Sequence, residues 1–331
     1  QAETVEGRSI PLGADYLDFT IYEPFGVSAQ IIPWNYPMEM TARGIAAALA
    51  TGNCCVVKTP ELDPISNVFI ARAAAAVGLP AGAVNILCGY GHEAGAALAG
   101  HPGIGNVVFT GSVETGIKVA TAAAQNVRPA ILELGGKSAA IIMPDADLDV
   151  VMESVRWGIF FNAGQVCSAM SRVIAHEDVH DEIVDRCVAL AEGLSVGPGI
   201  ERRDFGANMG AMVSDGQRDR AEGLVQRAGD EGARIATGGH KLNRPGAFLE
   251  PTIIADVTPQ MEIAGTEVFG PVLSILKTGS EADAIAIANG TEYGLVGGIF
   301  TADIDAAHRA ARQLRAGQIF INEWFAGGVE T

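Results

Sequence analysis

Residues 27–57, VSAQIIPWNYPMEMTARGIAAALATGNCCVV, contain the pattern that decides the fold of this chain. Two short apolar runs, Val27 to Ile32 and Cys54 to Val57, flank an Ala-rich stretch from Met40 to Ala50. Short apolar runs bounded by Gly, Pro or Asn are typical of buried strands, and the stretch between them is long enough for a helix. A strand, a helix and a second strand predict two parallel strands joined by a crossover helix.

The same alternation continues as far as Gly135. Further strands are predicted at 84–88, 107–109 and 130–134, and further helices at 65–76, 93–99 and 114–124. Repeated strand–helix units build a parallel sheet with helices on both faces, so we expect an α/β, Rossmann-like domain. Its strands are expected to be continuously apolar, because both faces of such a sheet are buried.

A second α/β series begins near Lys137, while the first 25 residues follow a different pattern. The second series has predicted strands at 139–143, 172–175, near 253, 272–276, 298–300 and 318–321, and helices at 147–161, 180–193 and 217–228. The N-terminal residues contain two candidate strands, 8–11 and 16–22, which would form a ribbon that needs another sheet or subunit to pair with. We therefore predict a β-ribbon in 1–25, one domain in 26–134 and a second in 135–331.

Composition argues against several classes of function. The formal net charge of −17 disfavours a nucleic-acid partner, since phosphate contacts need clustered Lys and Arg. No apolar run is long enough to span a bilayer, so no membrane partner is expected. The five cysteines are scattered without a CxxC pair, which argues against a disulfide framework or a metal site and favours a reducing, cytoplasmic compartment.

One of these cysteines, Cys167, ends a small polar loop with the sequence FNAGQVC. A thiolate in such a loop can attack a carbonyl group, whereas a structural cysteine is normally buried and inert. Glu133 lies upstream, where a strand-like run breaks at Gly135-Gly136, and a carboxylate at a strand end can act as a general base. The pair favours covalent catalysis, and the alternative is a structural cysteine and a glycine turn.

Three glycine clusters are candidates for phosphate binding: Gly89 to Gly95, Gly111 to Gly116 and Gly135 to Ser138. Each departs from the strict dinucleotide or P-loop template, which argues against an ATP-binding P-loop. The first two join a strand to a helix, and such turns offer backbone N–H groups to a pyrophosphate. The pattern favours a dinucleotide site, with chance turns as the alternative.

Several short motifs are spread over nearly the whole chain in a fixed order. They are IPWNYP at 32–37, VKTPE at 57–61, FTGS at 109–112, LELGGK at 132–137, FNAGQVC at 161–167, EVFGPV at 267–272 and NGTEYGL at 289–295. In these motifs the chain resembles the NAD(P)-dependent aldehyde dehydrogenases. The resemblance implies that 26–134 binds NAD, that 135–331 is catalytic and that the ribbon bridges subunits of a homo-oligomer. Family members are longer at both ends, so we expect an incomplete copy.

The resemblance implies oxidation of a small-molecule aldehyde to a carboxylic acid. Cys167 would attack the aldehyde to form a thiohemiacetal, and the side-chain amide of Asn35 would stabilise the developing oxyanion. Hydride transfer would leave a thioester, which a water activated by Glu133 would hydrolyse. The main alternative is a CoA-acylating semialdehyde dehydrogenase of the same fold, for which water activation by Glu133 is unnecessary. A Cys/Glu hydrolase and a non-catalytic relative are further alternatives.

The resemblance also implies a set of residues that bind the cofactor. Lys58 and Glu61 would bind the adenosine ribose, and Glu61 favours NAD over NADP because its carboxylate would repel a 2′-phosphate. Ser112 and Trp34 would lie near the pyrophosphate, and Glu267 and Phe269 would hold the nicotinamide ribose and ring. The full set is Ile32, Pro33, Trp34, Lys58, Glu61, Gly91, Gly111, Ser112, Leu134, Glu267 and Phe269.

The substrate channel is implied at Tyr36, Glu39, Arg43 and Phe161. Many family members have Trp-Lys where this chain has Arg43 and Gly44, so the channel gains a charge. One interpretation is an ion pair between Arg43 and Glu39, worth about 0.3–0.5 kcal/mol. The other is that Arg43 recognises a polar or carboxylate-bearing aldehyde; arginine here is also found in members that act on aromatic aldehydes. The sequence leaves the physiological aldehyde open.

Overall fold

Two mainly parallel sheets organise the chain, one in each of the units into which it divides, Gln1–Leu134 and Gly135–Thr331. A computed structural model describes residues 2–201 and 208–324.

The first unit alternates strands and helices after a short ribbon. Its elements are a 3-10 turn at Ala2–Thr4, β1 (Ser9–Ile10), β2 (Asp18–Phe19), β3 (Val27–Ile31), α1 (Pro37–Ala50), β4 (Cys54–Lys58), α2 (Ser66–Ala76), β5 (Val84–Leu87), a π turn at Gly91–Gly95, α3 (Ala96–Ala99), β6 (Asn106–Thr110), α4 (Val113–Ala124) and β7 (Ala130–Glu133).

The sheet of this unit has the strand order β5-β4-β3-β6-β7, and every neighbouring pair is parallel. The chain runs outward from β3 through β4 to β5, and then returns to the other side of β3 with β6. Strand order therefore reverses between β3 and β6, which is the place where open α/β sheets bind ligands beyond the carboxyl ends of their strands.

Apolar clusters cover both faces of this sheet. One contains Ile31, Phe109 and Val119 from α4, and the other contains Ile45 from α1 with Val57. The expectation of continuously apolar strands was wrong for β3, where Ser28 and Gln30 are buried at 3% and 2% exposure on one face. Edge strands β5 and β7 also leave residues exposed, because each has a neighbouring strand on one side only.

The N-terminal ribbon is antiparallel, with Ser9 opposite Phe19 and Ile10 opposite Asp18. Each strand is two residues long, so the pairing is shorter than the sequence predicted. Most of its apolar side chains are exposed, including Leu17 at 85% and Tyr16 at 72%. A strand pair with no packed apolar face contributes little stability of its own.

The second unit contains a larger sheet with helices packed on it. Its elements are β8 (Ala139–Ile142), α5 (Leu148–Ile159), a 3-10 turn at Phe161–Gly164, β9 (Arg172–His176), α6 (Glu177–Glu192), β10 (Ser195–Val196), a 3-10 turn at Gly199–Glu201, β11 (Asn208–Met209), α7 (Asp215–Asp230), β12 (Arg234–Thr237), β13 (Thr252–Val257), α8 (Glu262–Gly265), β14 (Val272–Thr278), α9 (Glu281–Asn289), β15 (Val296–Phe300), α10 (Ile304–Gln313) and β16 (Gln318–Ile321).

The sheet of the second unit has seven strands in the order β12-β13-β14-β9-β8-β15-β16. All seven strands lie within the described residues. Among them, only the edge strand β12 runs antiparallel to its neighbour. Its central strands are mostly buried: all four residues of β8 are buried, and in β14 only Lys277 is exposed. Burial on both faces explains why these strands are nearly all apolar.

The predicted fold class is confirmed: two α/β units with mainly parallel sheets follow an N-terminal antiparallel strand pair. Element ends differ by a few residues, and several elements of the second unit were not predicted from the sequence: β10, β11, β12, α8, α9 and α10. The helix predicted at 40–50 begins at Pro37, because proline is well suited to the first helical turn, where its missing N–H has no partner to lose. Within 2–201 and 208–324, no helix is both long and apolar enough to cross a membrane.

Candidate active site

In the first unit, the predicted site residues lie along one edge of the sheet. Asn35 follows β3, Lys58 ends β4, Ser112 follows β6 and Glu133 ends β7. Because these strands are parallel, their carboxyl ends meet at the same edge. The predicted site residues of this unit therefore lie along one sheet edge although they are spread over about a hundred positions.

The loop from Ile32 to Tyr36 connects β3 with α1. The N–H of Ile32 donates to the carbonyl of Lys58 across 3.1 Å, which holds the start of the loop against β4. Tyr36 occupies the N-cap position of α1, and Pro33, Trp34, Asn35 and Tyr36 are all half-buried. The side-chain amide of Asn35 is a donor that stays neutral throughout the pH range, as an oxyanion site needs.

Lys58 and Glu61 form a pair at the end of β4. The Nζ atom of Lys58 lies 3.7 Å from Oε1 of Glu61, and Lys58 is buried while Glu61 is exposed. The same Glu61 oxygen accepts a hydrogen bond from the backbone N–H of Gly91, which opens the π turn after β5. The pair thus joins two neighbouring strand ends and presents the carboxylate of Glu61 to solvent, while the ammonium group of Lys58 stays buried.

Gly111, Ser112 and Leu134 lie where β6 and β7 end. The N–H of Gly111 donates to the carbonyl of Glu133 across 3.0 Å. Ser112 is the N-cap of α4, and its Oγ accepts from the N–H of Thr115 across 3.3 Å. Leu134 packs its side chain against Gly116 in the first turn of α4. The N-terminus of a helix attracts anions, so this turn suits a phosphate group.

In the second unit, Cys167 follows the 3-10 turn Phe161–Gly164. Asn162 and Ala163 both have positive φ, 49° and 52°, which is uncommon for residues other than glycine and marks a strained turn. Gln165 fixes the turn: its Nε2 donates to the carbonyl of Asn162 at 2.9 Å, and its Oε1 accepts from the N–H of Val213 at 2.8 Å. Cys167 is half-buried.

Gly136 and Glu267 lie beside the cysteine. A Cβ atom on Gly136 would overlap the carbonyl oxygen of Cys167, so this position has no room for a side chain. The N–H of Gly136 donates to Oε1 of Glu267 across 3.0 Å. Phe269, two residues further on, has φ at 57° and is half-buried. The structure therefore brings the predicted nucleophile loop and two predicted cofactor residues into one region of the second unit.

Two cations, the buried Lys137 and the exposed Arg220, act on the carboxyl group of Glu267. Burial raises the pKa of the Glu267 carboxyl group, while the Gly136 hydrogen bond and the charges of Arg220 and Lys137 oppose that rise. Burial and the charge of Arg172 together lower the pKa of Lys137 to about 7. Arg220 donates to the backbone carbonyls of Glu267 and Val268, both at 2.9 Å. These cations favour an ionised, fixed Glu267.

The four candidate substrate residues do not form one group within a single unit. Tyr36, Glu39 and Arg43 belong to the first unit, in or next to α1, and Phe161 belongs to the second, where it is exposed beside Trp157. Glu39 and Arg43 are both exposed, and no ion pair joins them in the described part of the chain. The ion-pair interpretation of Arg43 is therefore not supported.

Sequence reasoning missed several polar residues that support the site. These are Gln30, Lys137, Gln165, Arg172 and Arg220. Lys137 lies in the LELGGK motif and Gln165 in the FNAGQVC motif, so their place in the sequence indicated a link to the site. The neighbouring residues in the sequence do not show that Lys137 is buried. Arg220 gives no signal, because the carbonyl groups it binds lie 47 and 48 residues away in the chain.

Comparison with protein families gives one match that spans the chain. The model of the family described as "Aldehyde dehydrogenase family" matches residues 1–331. The chain is 40% identical over 331 residues to "Aldehyde dehydrogenase, mitochondrial" of Mesocricetus auratus, covering 100% of this chain and 66% of that protein. It is 43% identical over 316 residues to "Aminoaldehyde dehydrogenase 1, peroxisomal" of Pisum sativum, covering 95% of this chain and 62% of that protein.

Solved structures give the same result. The fold matches the "NAD+ complex structure of aldehyde dehydrogenase from bacillus cereus" with a TM-score of 0.95 and 39% identity, covering 99% of this chain and 66% of that one. The chain thus spans slightly less than two thirds of the length of each of these relatives.

Proposed function

Because this chain belongs to the aldehyde dehydrogenase family, we propose that the protein oxidises a small-molecule aldehyde to a carboxylic acid with NAD as electron acceptor. The observation that carries the proposal is the match of the family model to residues 1–331, with every motif residue of that chemistry present. The half-buried position of Cys167 beside Gly136 and Glu267 supports it, because a catalytic thiol must be both reachable and held.

In this proposal the Sγ atom of Cys167 attacks the carbonyl carbon of the aldehyde. The strained turn fixed by Gln165 keeps the thiol in place, so little ordering is needed when substrate binds. The amide of Asn35 and the backbone N–H of Cys167 donate to the oxygen as it becomes negative, which is worth roughly 3–4 kcal/mol per donor in other enzymes. After oxidation, a thioester joins the acyl group to Cys167.

Glu133 then acts as general base in hydrolysis of the thioester. Its carboxylate removes a proton from water while the water oxygen bonds to the acyl carbon. The C–S bond breaks, its electron pair returns to sulfur, and the carboxylic acid leaves. A thiol suits both steps because it is a good nucleophile and then a good leaving group.

The residues of the first unit fit a dinucleotide cofactor. The switch point between β3 and β6 lies beside the Ser112-capped N-terminus of α4, where a pyrophosphate is favoured. Lys58 and Glu61 are held together at the next strand end. Bound NAD would accept the hydride from the substrate carbon. Ile32, Pro33, Trp34, Gly91, Gly111, Leu134 and the second-unit residues Glu267 and Phe269 complete the proposed cofactor set.

Glu61 supports NAD rather than NADP. A carboxylate accepts a hydrogen bond from a ribose 2′-OH and repels a 2′-phosphate. Gly91 fixes one oxygen of this carboxylate, so Glu61 cannot easily turn away from a phosphate.

The N-terminal ribbon supports a homo-oligomer with the ribbon bridging subunits. Tyr16, Leu17, Ile21 and Tyr22 are 69–85% exposed, and a ribbon of two-residue strands with such a surface is stabilised by pairing with another sheet. The five cysteines, which form no disulfide within the described residues, also favour a reducing compartment, which we propose is the cytoplasm.

The direct test is to incubate the intact polypeptide with aldehydes and NAD, follow NADH absorbance and identify the product by mass spectrometry. We expect one carboxylic acid molecule for each NADH formed. The reaction should be slower when NADP replaces NAD. An acyl-CoA product in the presence of coenzyme A would favour the CoA-acylating alternative. Aldehyde turnover without NADH would remove the proposal.

A further inference from the structure

The indole ring of Trp324 forms a hydrogen bond next to the proposed nucleophile. Its Nε1 atom donates across 3.1 Å to the carbonyl oxygen of Ser168, the residue that follows Cys167 in the chain. Trp324 is 4% exposed, so water has little access to its ring. A side chain 156 positions away in sequence therefore binds the backbone immediately after Cys167.

The accepting carbonyl belongs to a tight turn. The N–H of Ala169 donates to the carbonyl of Val166 across 3.1 Å, so Cys167 and Ser168 are the two central residues of a β-turn. No regular secondary structure supports this segment before β9 begins. The orientation of the Ser168 carbonyl depends on the backbone angles of the turn, and those angles also set the direction of the Cys167 thiol and N–H.

Close packing fixes the ring of Trp324. A Cβ atom on Gly158 of α5 would lie 3.1 Å from Cδ1 of Trp324, and a Cβ atom on Gly298 of β15 would lie 3.1 Å from its Cε3 and Cζ3. The ring of Phe320 packs against the indole with centroids 6.1 Å apart. Two glycines thus leave room for the indole, and the ring cannot turn without displacing its neighbours.

The backbone that carries Trp324 is also held in place. Asn322, two residues earlier, has a positive φ of 53°. Its Oδ1 accepts from the N–H of Thr301 across 2.8 Å, and its Nδ2 donates to the carbonyl of Thr301 across 2.9 Å. These bonds join the end of β16 to the end of β15. The indole N–H is therefore a donor whose position is fixed before any substrate binds.

We infer that Trp324 is a positioning residue for Cys167, because its indole N–H holds the β-turn that carries the proposed nucleophile and its N–H. The inference rests on the proposed role of Cys167. A donor aligned in advance with the developing oxyanion needs no reorganisation during the reaction, and a small misplacement of the reacting groups lowers the rate strongly. Trp324 acts here only through the backbone of the turn.

The test replaces Trp324 with Phe in the intact polypeptide, which keeps an aromatic ring and removes the N–H. We expect the rate of NADH formation in the first turnover to fall about tenfold, because the thiol and its N–H are less well aligned. The KM for NAD should change less than about twofold, since the proposed adenosine-binding residues Lys58 and Glu61 belong to the first unit.

Phe320→Leu is the control for damage to the core. It removes the ring that packs against Trp324 and leaves the indole N–H bond to Ser168 in place. Both variants should lower the temperature of unfolding. Only Trp324→Phe should slow the first turnover, and Phe320→Leu should stay within about twofold of the parent rate.

Alkylation of Cys167 by iodoacetamide is a second measurement, and it needs neither NAD nor aldehyde. Mass spectrometry of the peptides separates Cys167 from the exposed Cys54 and Cys88. Alkylation requires a reachable thiol but no oxyanion donor, so its rate in Trp324→Phe should stay within about twofold of the parent. A rise of about tenfold or more would show local unfolding of the turn and would overturn the positioning role.

Two further results would overturn the inference: an unchanged first-turnover rate in Trp324→Phe, and an equal fall of that rate in Phe320→Leu. If Trp324→Phe does not fold, 3-benzothienylalanine at position 324 decides, because its sulfur replaces the indole N–H while the ring shape is kept. A slower first turnover supports the inference, and the parent rate refutes it. Absence of NADH formation by the parent protein would instead remove the proposed function, and this inference with it.

Discussion

The backbone N–H of Gly136 and the Oε1 atom of Glu267 are hydrogen-bonded across 3.0 Å, although 131 residues separate them in the chain. Gly136 also packs against the carbonyl oxygen of Cys167. One glycine therefore contacts both the proposed nucleophile segment and a proposed cofactor residue. The cations Lys137 and Arg220 oppose the rise in pKa that burial imposes on the Glu267 carboxyl group.

Replacing Glu267 with Gln tests its proposed role at the nicotinamide ribose. The amide can still accept from Gly136, but the charge-assisted bond to a ribose hydroxyl is lost, so we expect NAD to bind about tenfold more weakly. Fluorescence titration with NAD measures the change. Glu177→Gln, an exposed change in the first turn of α6, is the control. Equal NAD affinity in the Glu267 variant and the parent would contradict the role.

Replacing Cys167 with Ala removes the proposed nucleophile. We expect the rate of NAD reduction to fall by more than about a thousandfold, because no second thiol in the loop can replace it. The control is Cys88→Ala, since Cys88 is an exposed cysteine outside any disulfide and lies beyond β5. Initial rates of NADH formation measure both. Residual activity above a few per cent in Cys167→Ala would show that another group is the nucleophile.

Replacing Glu133 with Gln should separate the two halves of the reaction. Gln keeps the shape of the side chain but cannot remove a proton from water, so acyl transfer to Cys167 should continue while hydrolysis stops. Rapid mixing should give a burst of about one NADH per active site followed by a rate at least about a hundredfold lower. Mass spectrometry should detect the acyl group on Cys167. Continued turnover at the parent rate would assign water activation elsewhere.

Replacing Arg43 with Ala tests substrate recognition. No ion pair with Glu39 occupies Arg43 in the described part of the chain, so its cation is available to a carboxylate on the substrate. We expect kcat/KM to fall about tenfold for a semialdehyde acid and to change less than about twofold for a neutral aldehyde of similar size. The Arg43→Lys variant keeps the charge, so its kcat/KM for the semialdehyde acid should lie between those of the parent and of Arg43→Ala. An equal loss of kcat/KM on both substrates would contradict recognition of the substrate carboxylate by Arg43.

Replacing Lys137 with Met tests the energetic effect of its burial. The pKa of Lys137 is about 7 in the folded protein against an ordinary 10.5, so between these pH values the unfolded chain holds a proton that the folded chain lacks. Stability should therefore rise with pH through this window, by at most about 1.4 kcal/mol per pH unit. Lys137→Met removes that contribution.

The measurement for Lys137 is the urea midpoint of unfolding at pH 7, 8 and 9. The difference between parent and Lys137→Met should shift in favour of the parent as the pH rises. Lys118→Met, an exposed change on α4, is the control and should run parallel to the parent. If the urea midpoints of Lys137→Met also run parallel to those of the parent, the buried lysine stays protonated in the folded protein.

Local pattern was sufficient for most of the regular elements. Apolar runs such as Val27 to Ile32 predicted a strand because consecutive buried residues leave a signal in the sequence itself. The same reasoning failed on one face of β3, where Ser28 and Gln30 interrupt the run and are nevertheless buried. Pattern alone cannot show that a polar side chain lies in a groove, since its neighbours come from β6 and α1.

For the candidate site too, the sequence predicted some features and only the tertiary structure showed others. The motifs around Cys167, Glu133 and Asn35 were recognisable from sequence because each chemistry needs particular residue types in short, ordered stretches. The surroundings of Glu267 were not, because its pKa depends on burial and on a glycine N–H and two cations from distant segments. Likewise, only the tertiary structure showed that Arg43 and Glu39 remain apart although helix spacing allows them to pair.

The sequence by itself determined the family, most of the strands and helices, and the identity of the reactive groups, because these depend on residue type and spacing along the chain. Tertiary structure alone decided which polar groups are desolvated, which are paired and which share a sheet face. Those properties depend on distances between residues far apart in sequence, and electrostatic energies change steeply with such distances and with burial.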